Sequence, residues 1–592
     1  NNDNYTFYMI PQQLTGAGVQ VKVYFGGSAT PAITATLTGQ WKPGTTKTYA
    51  LSQNTSDWSY VLNVVGPTTP AAYNQTAAGN YTIQSYRQSG GTQQPVKWKV
   101  VGYQESTDGG ANWSALSTTK PAWLTSLSKE SGDGIISGSE SGAATVQAAT
   151  LVDKLAAYNK VLHDATPRGS AGSYYDLSEH DYKGNSTNRN TANSYLISAP
   201  GYYKIPLVYG NAIKNGLTNS HAYTSNAPAG NPNVLYHFKD HAGVDIDNPW
   251  ITQTNSGANA PDGAKIVWTD QSGIVEASSL GIEGSGTNAF VHFHIPQDKI
   301  RNGNAVIAAT KGGTVVWSWH LWFAHGDELN TIPIVNYQGV TYNFTKQTLG
   351  FAYYKWDEKP RKVRIKVEQT IANGGIRQSG SIEITQNHGS GVKTFGTTLY
   401  QWGRKDAFPG TDAVKDGSFS YTAADYKHFT NSIQHPNIFY VDTYYGASAP
   451  WYYNLWSANS TEISNFYNDN AVVKTIYDPC PVGLKMPASN AFTGFTTTGQ
   501  NTTTQSQFNV EDSWDAGWTF KSKTGSNTVY FPASGCHNNA YGTLGAVGSQ
   551  GFYWSAMPKG SYACDMQFSS GSVQPMHAWN QPFGFAVRPV KE

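Results

Sequence analysis

Charge is scarce in this sequence. Of 592 residues only 13% are Asp, Glu, Lys or Arg, about half the roughly 25% usual in soluble proteins. Solvation falls to Ser, Thr, Asn and Gln, a composition that suits an extracellular surface better than a cytosolic enzyme. No basic block of the kind that neutralises phosphates is present, and the formal net charge is +1, so nucleic acid is not an expected partner. No apolar run reaches the roughly 20 residues that cross a bilayer as a helix. The densest, "VVWSWHLWFA" (Val315–Ala324), is half that length and contains His320; it reads as a strand buried on both faces. Cysteine is nearly absent. The three present, Cys480, Cys536 and Cys564, have no metal-site spacing and allow one disulfide plus one free thiol, with all three pairings open. No signal peptide is visible, and the numbering opens at Asn1 inside what reads as an established domain, so the expectation is either a chain trimmed before residue 1 or N-terminal strands lost, with membrane contact only through a lipid anchor if one existed upstream. At this length several domains are expected.

What is abundant is the strand pattern. "VQVKVYF" (Val19–Phe25), "VRIKVEQ" (Val363–Gln369) and "SIEITQ" (Ser381–Gln386) alternate apolar with polar, the period of strands buried on one face. Turn signals such as "KGG", "NGG" and "SGG" separate such runs. One stretch reads otherwise. From Ala143 to Leu162 the sequence is Ala-rich, with Leu151, Leu155, Tyr158 and Leu162 spaced by four, three and four. That spacing predicts a helix near 143–163 with one apolar face. Loose polar stretches near 74–95 and 385–396 set the expected segments at 1–86, 87–388 and 389–592, the middle one divisible near "NAPAGNPN" (Asn226–Asn233). The expected fold class is mainly β and multidomain.

"FYMIPQQLTGAGVQVKVYFGG" (Phe7–Gly27) followed by "WKPGTTKTYAL" (Trp41–Leu51) resembles the later half of a domain of the fimbrillin (Mfa-like) pilin and adhesin families of Bacteroidales. The residues agree with a strand pair: Val19, Val21 and Val23 supply a core face, and Gly44 permits the tight approach to a strand at "KTYALS". The resemblance implies a partial pilin-like β-sandwich over 1–86 and other pilin subunits as partners through β-strand exchange. A plain sandwich without an assembly role is the alternative. Residues 190–213 and 303–323 are similar to Ig-like sandwiches of large surface proteins from the same bacteria. Trp317, Trp319 and Trp322 read as core. His292 and His294 share one strand face opposite Val291, Phe293 and Ile295, and a structural role is preferred for them over metal binding.

The most specific resemblance lies at the end of the chain. "YQWGRKDAFPG" (Tyr400–Gly410), "YDPCPVGLKMP" (Tyr477–Pro487), "YFPASG" (Tyr530–Gly535), "FYWSA" (Phe552–Ala556) and "GFAVRPV" (Gly584–Val590) look like the major-paralogous-domain family, whose fold resembles C-type lectins. This implies an α+β domain over 389–592 with Trp554 and Phe585 in the core, Arg588 buried or pairing at an edge, and Phe583–Val590 as the closing strand. C-type lectins carry Trp-Asn-Asp before that strand. Here Trp579 and Asn580 are followed by Gln581, and the lost carboxylate argues against a calcium site. A calcium-free contact surface is left to Trp451, Tyr452, Tyr453, Trp456, Trp579 and Asn580, with core packing of the same rings as the competing reading. The fold also hosts formylglycine-generating enzymes, but their close cysteine pair is missing, and so are the nucleophile-elbow, zinc-protease and P-loop motifs. No metal, cofactor or catalysis is expected. The resemblances together imply a cell-surface fimbrial adhesin, exported to the outer membrane and touching a host or glycan ligand. A surface polysaccharide-binding lipoprotein for glycan uptake is the alternative.

Overall fold

The computed structural model describes residues 5–25, 27, 29, 31–51, 58–225, 230–371, 377–389, 391–422, 429–441, 452–462 and 467–592. The chain is mainly β and forms two units, each assembled from separate stretches: residues 1–153 with 357–392, and residues 154–356 with 393–592. Among the described residues no helix is long and apolar enough to cross a membrane.

The first unit is antiparallel. Strands Ser59–Val65, Ala77–Ser89, Glu140–Val146 and Leu124–Leu127 form one sheet in that order, with Thr92–Pro95 added on Ala77–Ser89. Strands Ser379–Gln386, Arg361–Gln369, Trp98–Ser106 and Ser131–Gly132 form another. The alternation seen in the sequence places Val363, Ile365 and Val367 from one strand and Ile382 and Ile384 from its neighbour into a single core with Tyr81, Ile83 and Trp98, as in a β-sandwich. Trp98 donates its indole N–H to Glu140 (2.6 Å), a carboxylate that also takes Lys129 (3.1 Å). Residue 86 therefore falls within a strand, and residues 361–386 return to the sheets that residues 59–146 begin.

The third sheet of this unit has two strands, Gln12–Val23 and Ile33–Trp41, paired with an irregularity between Leu14 and Val19. Leu14, Ala35 and Leu37 are buried, while Val19, Val21 and Val23 are only half covered. Gly44 takes φ +67° in the turn that follows, where the Thr45 hydroxyl donates to the Lys42 carbonyl. The expected strand at Lys47–Leu51 does not form. That segment has no regular secondary structure, and the Tyr49 hydroxyl accepts a hydrogen bond from Trp41 Nε1 (3.0 Å).

The expected helix is shorter and later than its spacing suggested. Residues 140–146 are a strand, and the helix runs Lys154–Asp164. Gly142 explains why the Ala-rich start pairs instead: a Cβ there would stand 2.3 Å from the Tyr81 ring, so the backbone lies flat against that side chain. Leu162 is buried and Leu155 and Tyr158 are half-buried as the spacing required, but Leu151 lies outside the helix and is exposed.

In the second unit the central and C-terminal stretches share one core. Ser194–Ile197, Thr314–Phe323, Gly303–Lys311, Gly263–Thr269 and Asp416–Gly417 form a five-stranded sheet whose first pair is parallel. Trp317, Trp319 and Trp322 are buried in it. Gly201–Pro206 and Phe290–Ile295 head a second sheet, in which His292 stacks on Tyr174 and His294 on Tyr202 while Val291, Phe293 and Ile295 point inward. A seven-stranded sheet gathers Leu399–Gln401, Ser534–His537, Leu544–Val547, Gln550–Lys559, Tyr562–Ser569, Ser572–Asn580 and Gly584–Ala586. Cross-links run between the stretches. Asn193 donates to the carbonyls of Ile476 and Asp478, Ser194 to that of Pro479, and Trp268 to that of Ala407. Residues 154–356 therefore have no separate core among the described residues, because their apolar faces close on residues 395–587.

The "DPCP" motif is a buried loop. Asp478 accepts the amides of Cys480 (2.7 Å) and Met486 (3.1 Å), and the Lys474 ammonium reaches the carbonyls of Cys480, Pro481 and Leu484 at 2.8 Å each. All three cysteines are free thiols. They sit on this loop, on strand Ser534–His537 and on strand Tyr562–Ser569, and none of the three pairings the sequence allowed is formed.

Candidate functional site

The final motif divides between two sheets. Gly584–Ala586 lies inside the seven-stranded sheet, beside Leu399–Gln401, Ser534–His537 and Gln550–Lys559, whereas Val590–Lys591 joins Thr341–Thr345 and Leu484–Lys485. Trp554 and Phe585 are fully buried, with ring centroids 4.3 Å apart. Arg588 is buried between the two sheets and satisfies its guanidinium on the Thr345 and Lys346 carbonyls and the Thr348 hydroxyl. Burial pushes it down to about 10.

The six candidate contact residues separate. Trp451 lies outside the described residues. Trp456 is core: it has no exposed surface, and its indole N–H is shared by the carbonyls of Tyr477 (3.1 Å) and Arg404 (3.3 Å). Tyr453 is buried against Val234, and its hydroxyl accepts from Asn233 (3.2 Å). Tyr452 is half-buried against the main core. The run "WYYNLW" could not separate these cases, since the partners of Tyr453 lie at 233–234, more than 200 positions upstream, and those of Trp456 at 404 and 477.

Trp579 and Asn580 close a different group. Strand Ser572–Asn580 pairs with Tyr562–Ser569 so that His577 stands opposite Asp565. The half-exposed Trp579 ring lies 5.5 Å from His577 and 5.1 Å from Phe583. Asp565 is buried, and burial raises its carboxyl above the usual range despite the His577 contact at 3.1 Å. Four polar atoms here are buried without a protein partner among the described residues: Asp565 Oδ2, Gln567 Nε2, Trp579 Nε1 and Asn580 Nδ2. They do not make one empty site: the Gln567 side chain and the Trp579 backbone both act on the Asp565 carboxyl, and Asn580, next to Trp579 on the strand, projects to the other face of the sheet. Asp565, Gln567 and His577 were not singled out from the sequence. The signal available was the position of His577 two residues before Trp579, on the same strand face.

Gln581 occupies the position where a lectin triplet would have its acid. It is buried and donates to the Gly560 and Tyr562 carbonyls, which locks the neighbouring hairpin turn. It turns inward rather than offering a ligand oxygen.

A domain family of unknown function, DUF8237, matches residues 497–590, a stretch that contains this strand pair. No curated protein matches the chain. Among solved structures, the extracellular domain of Protocadherin GammaB4 is 12% identical, covering 55% of this chain and 51% of its own length, with a TM-score of 0.11. Extracellular cadherin domains 3–6 of Protocadherin Gamma B2 are 11% identical, covering 56% of this chain and 76% of theirs, with a TM-score of 0.10. Overlaps this small describe no shared fold.

Proposed function

We propose that this chain is a cell-surface adhesin, a fimbrial tip subunit that joins its shaft by β-strand addition at residues 12–41 and presents a C-type-lectin-like surface in its second unit. The observation that carries the reading is the N-terminal hairpin. Neither of its strands has a second partner among the described residues. The valine face of Gln12–Val23 is half covered, and Tyr24 and Phe25 beside it are 49% and 59% exposed. An unpaired edge with apolar side chains in register is a template for another strand, and added strands bind through main-chain hydrogen bonds with side-chain pockets for specificity. Binding rather than turnover is the activity, and the cell surface is its place.

Mixing the chain with a shaft pilin and with a peptide of that pilin's terminal strand tests this: a stable one-to-one complex is expected, and its absence counts against the tip assignment. The second reading, a polysaccharide-binding lipoprotein, is favoured by the half-exposed Trp579 ring. A glycan array distinguishes the two, since micromolar binding to one polysaccharide without pilin assembly selects the second.

A further inference from the structure

A cavity of about 290 Å³ opens in the second unit among residues 168–182, strand Ser194–Ile197, the turn at Leu329–Thr331 and the loop Pro481–Leu484. This is near the small end of the range for small-molecule sites, about 300–1,000 Å³, and has room for one sugar-sized ring. Arg168 lines it, held with its guanidinium 5.0 Å from the Tyr175 ring. That guanidinium makes no hydrogen bond or ion pair with any described residue. Lys591 is a second lining cation without a carboxylate partner among the described residues. The one carboxylate in the lining, Asp181, is already engaged: it accepts the amides of Lys183 and Asn185 and the Asn185 side chain, all at 2.9 Å.

His180 completes the set. Its Nδ1 lies 2.9 Å from the Asp176 carbonyl, which can only accept, so Nδ1 carries the proton and Nε2 of the neutral ring is an acceptor. The imidazole stacks on Tyr175 at 3.9 Å, and the Tyr175 hydroxyl is buried with no partner among the described residues. A free guanidinium fork suits a carboxylate. An imidazole acceptor suits a hydroxyl, and aromatic and leucine side chains suit the C–H face of a sugar.

We propose that this cavity binds an acidic monosaccharide unit, a hexuronic acid, with its carboxylate on Arg168 and Lys591 and a ring hydroxyl donating to His180. Its lining shares no residue with the hairpin or with the Trp579 strand, so it holds or fails independently of the fimbrial reading.

Isothermal titration of the full chain with D-glucuronate, D-glucose and an acetylated tetrapeptide bearing a free C-terminal carboxylate is the test. Glucuronate should bind at least tenfold tighter than either of the others and weaken as salt is raised. Arg168→Gln should lose at least tenfold with an unchanged melting temperature. Should that variant melt early, Lys591→Gln, at an exposed position, must still weaken glucuronate at least threefold. Equal binding of glucose, tighter binding of the peptide, no heat with glucuronate, or full affinity in a folded Arg168→Gln or Lys591→Gln variant would each overturn the proposal.

Discussion

His320 shows what the second unit asks of a single side chain. It is fully enclosed, with Nε2 2.9 Å from Asn304 Oδ1 and Nδ1 3.2 Å from the hydroxyls of Tyr400 and Ser194. Burial pushes it down to about 3, so the folded chain keeps it neutral where an unfolded chain, near 6.5, would protonate. The stability it contributes is complete above pH 6.5 and is lost as pH falls toward 3. Asp270 has the opposite sign. Burial raises it to about 6, so stability falls as pH rises from about 4 to 6. Replacing His320 by Gln should remove the first slope only: urea titrations at several pH values should show the advantage of wild type over variant shrinking by about 1.4 kcal/mol per pH unit below 6.5. A constant difference would mean the imidazole is not held neutral. Trp456 and Trp579 separate by the same measurement. Trp456→Ala should cost about 3–5 kcal/mol as a buried ring, and Trp579→Ala, at a half-exposed position, less than half of that.

At the scale of the element, period two was readable wherever a strand buries one face: Arg361–Gln369 and Ser379–Gln386 match their alternation residue by residue, and Phe290–Ile295 puts its histidines outward. The tryptophan-rich strand was readable as core for the opposite reason, apolar on both faces. The helix start was not, because alanine fits helix and strand alike and only the Tyr81 ring over Gly142 decides for the strand. Lys47–Leu51 alternates acceptably but has no neighbour to pair with, and pairing is not a local property. The burial of Trp456 was not legible on the same ground, since it depends on Arg404 and Tyr477. The exposed hairpin side chains should be nearly neutral for folding. Tyr24→Ser with Phe25→Ser should change stability by no more than about 0.5 kcal/mol, measured by denaturation, yet weaken any strand-addition complex.

For the whole molecule, the sequence segments at 86 and 388 follow composition, whereas the two units follow shared cores. A chain that leaves a sandwich after residue 153 and returns at 357 carries no mark of that return in its composition. The C-terminal motifs were legible because each encodes a local device, such as the Asp478 loop or the Arg588 pin, while the partners they close upon lie in residues 193–196 and 345–348. Separate cores should answer separately: Trp98→Ala should lower only the calorimetric transition of the first unit and Trp554→Ala only that of the second, each by about 3–5 kcal/mol. The adhesin role depends on the hairpin as an acceptor of a foreign strand. Hydrogen–deuterium exchange of residues 12–41, with and without the terminal-strand peptide of a shaft pilin, examines this most directly. Slowed exchange confined to Gln12–Val23 or Ile33–Trp41 is expected on adding the peptide. Unchanged exchange along both strands at saturating peptide would contradict it.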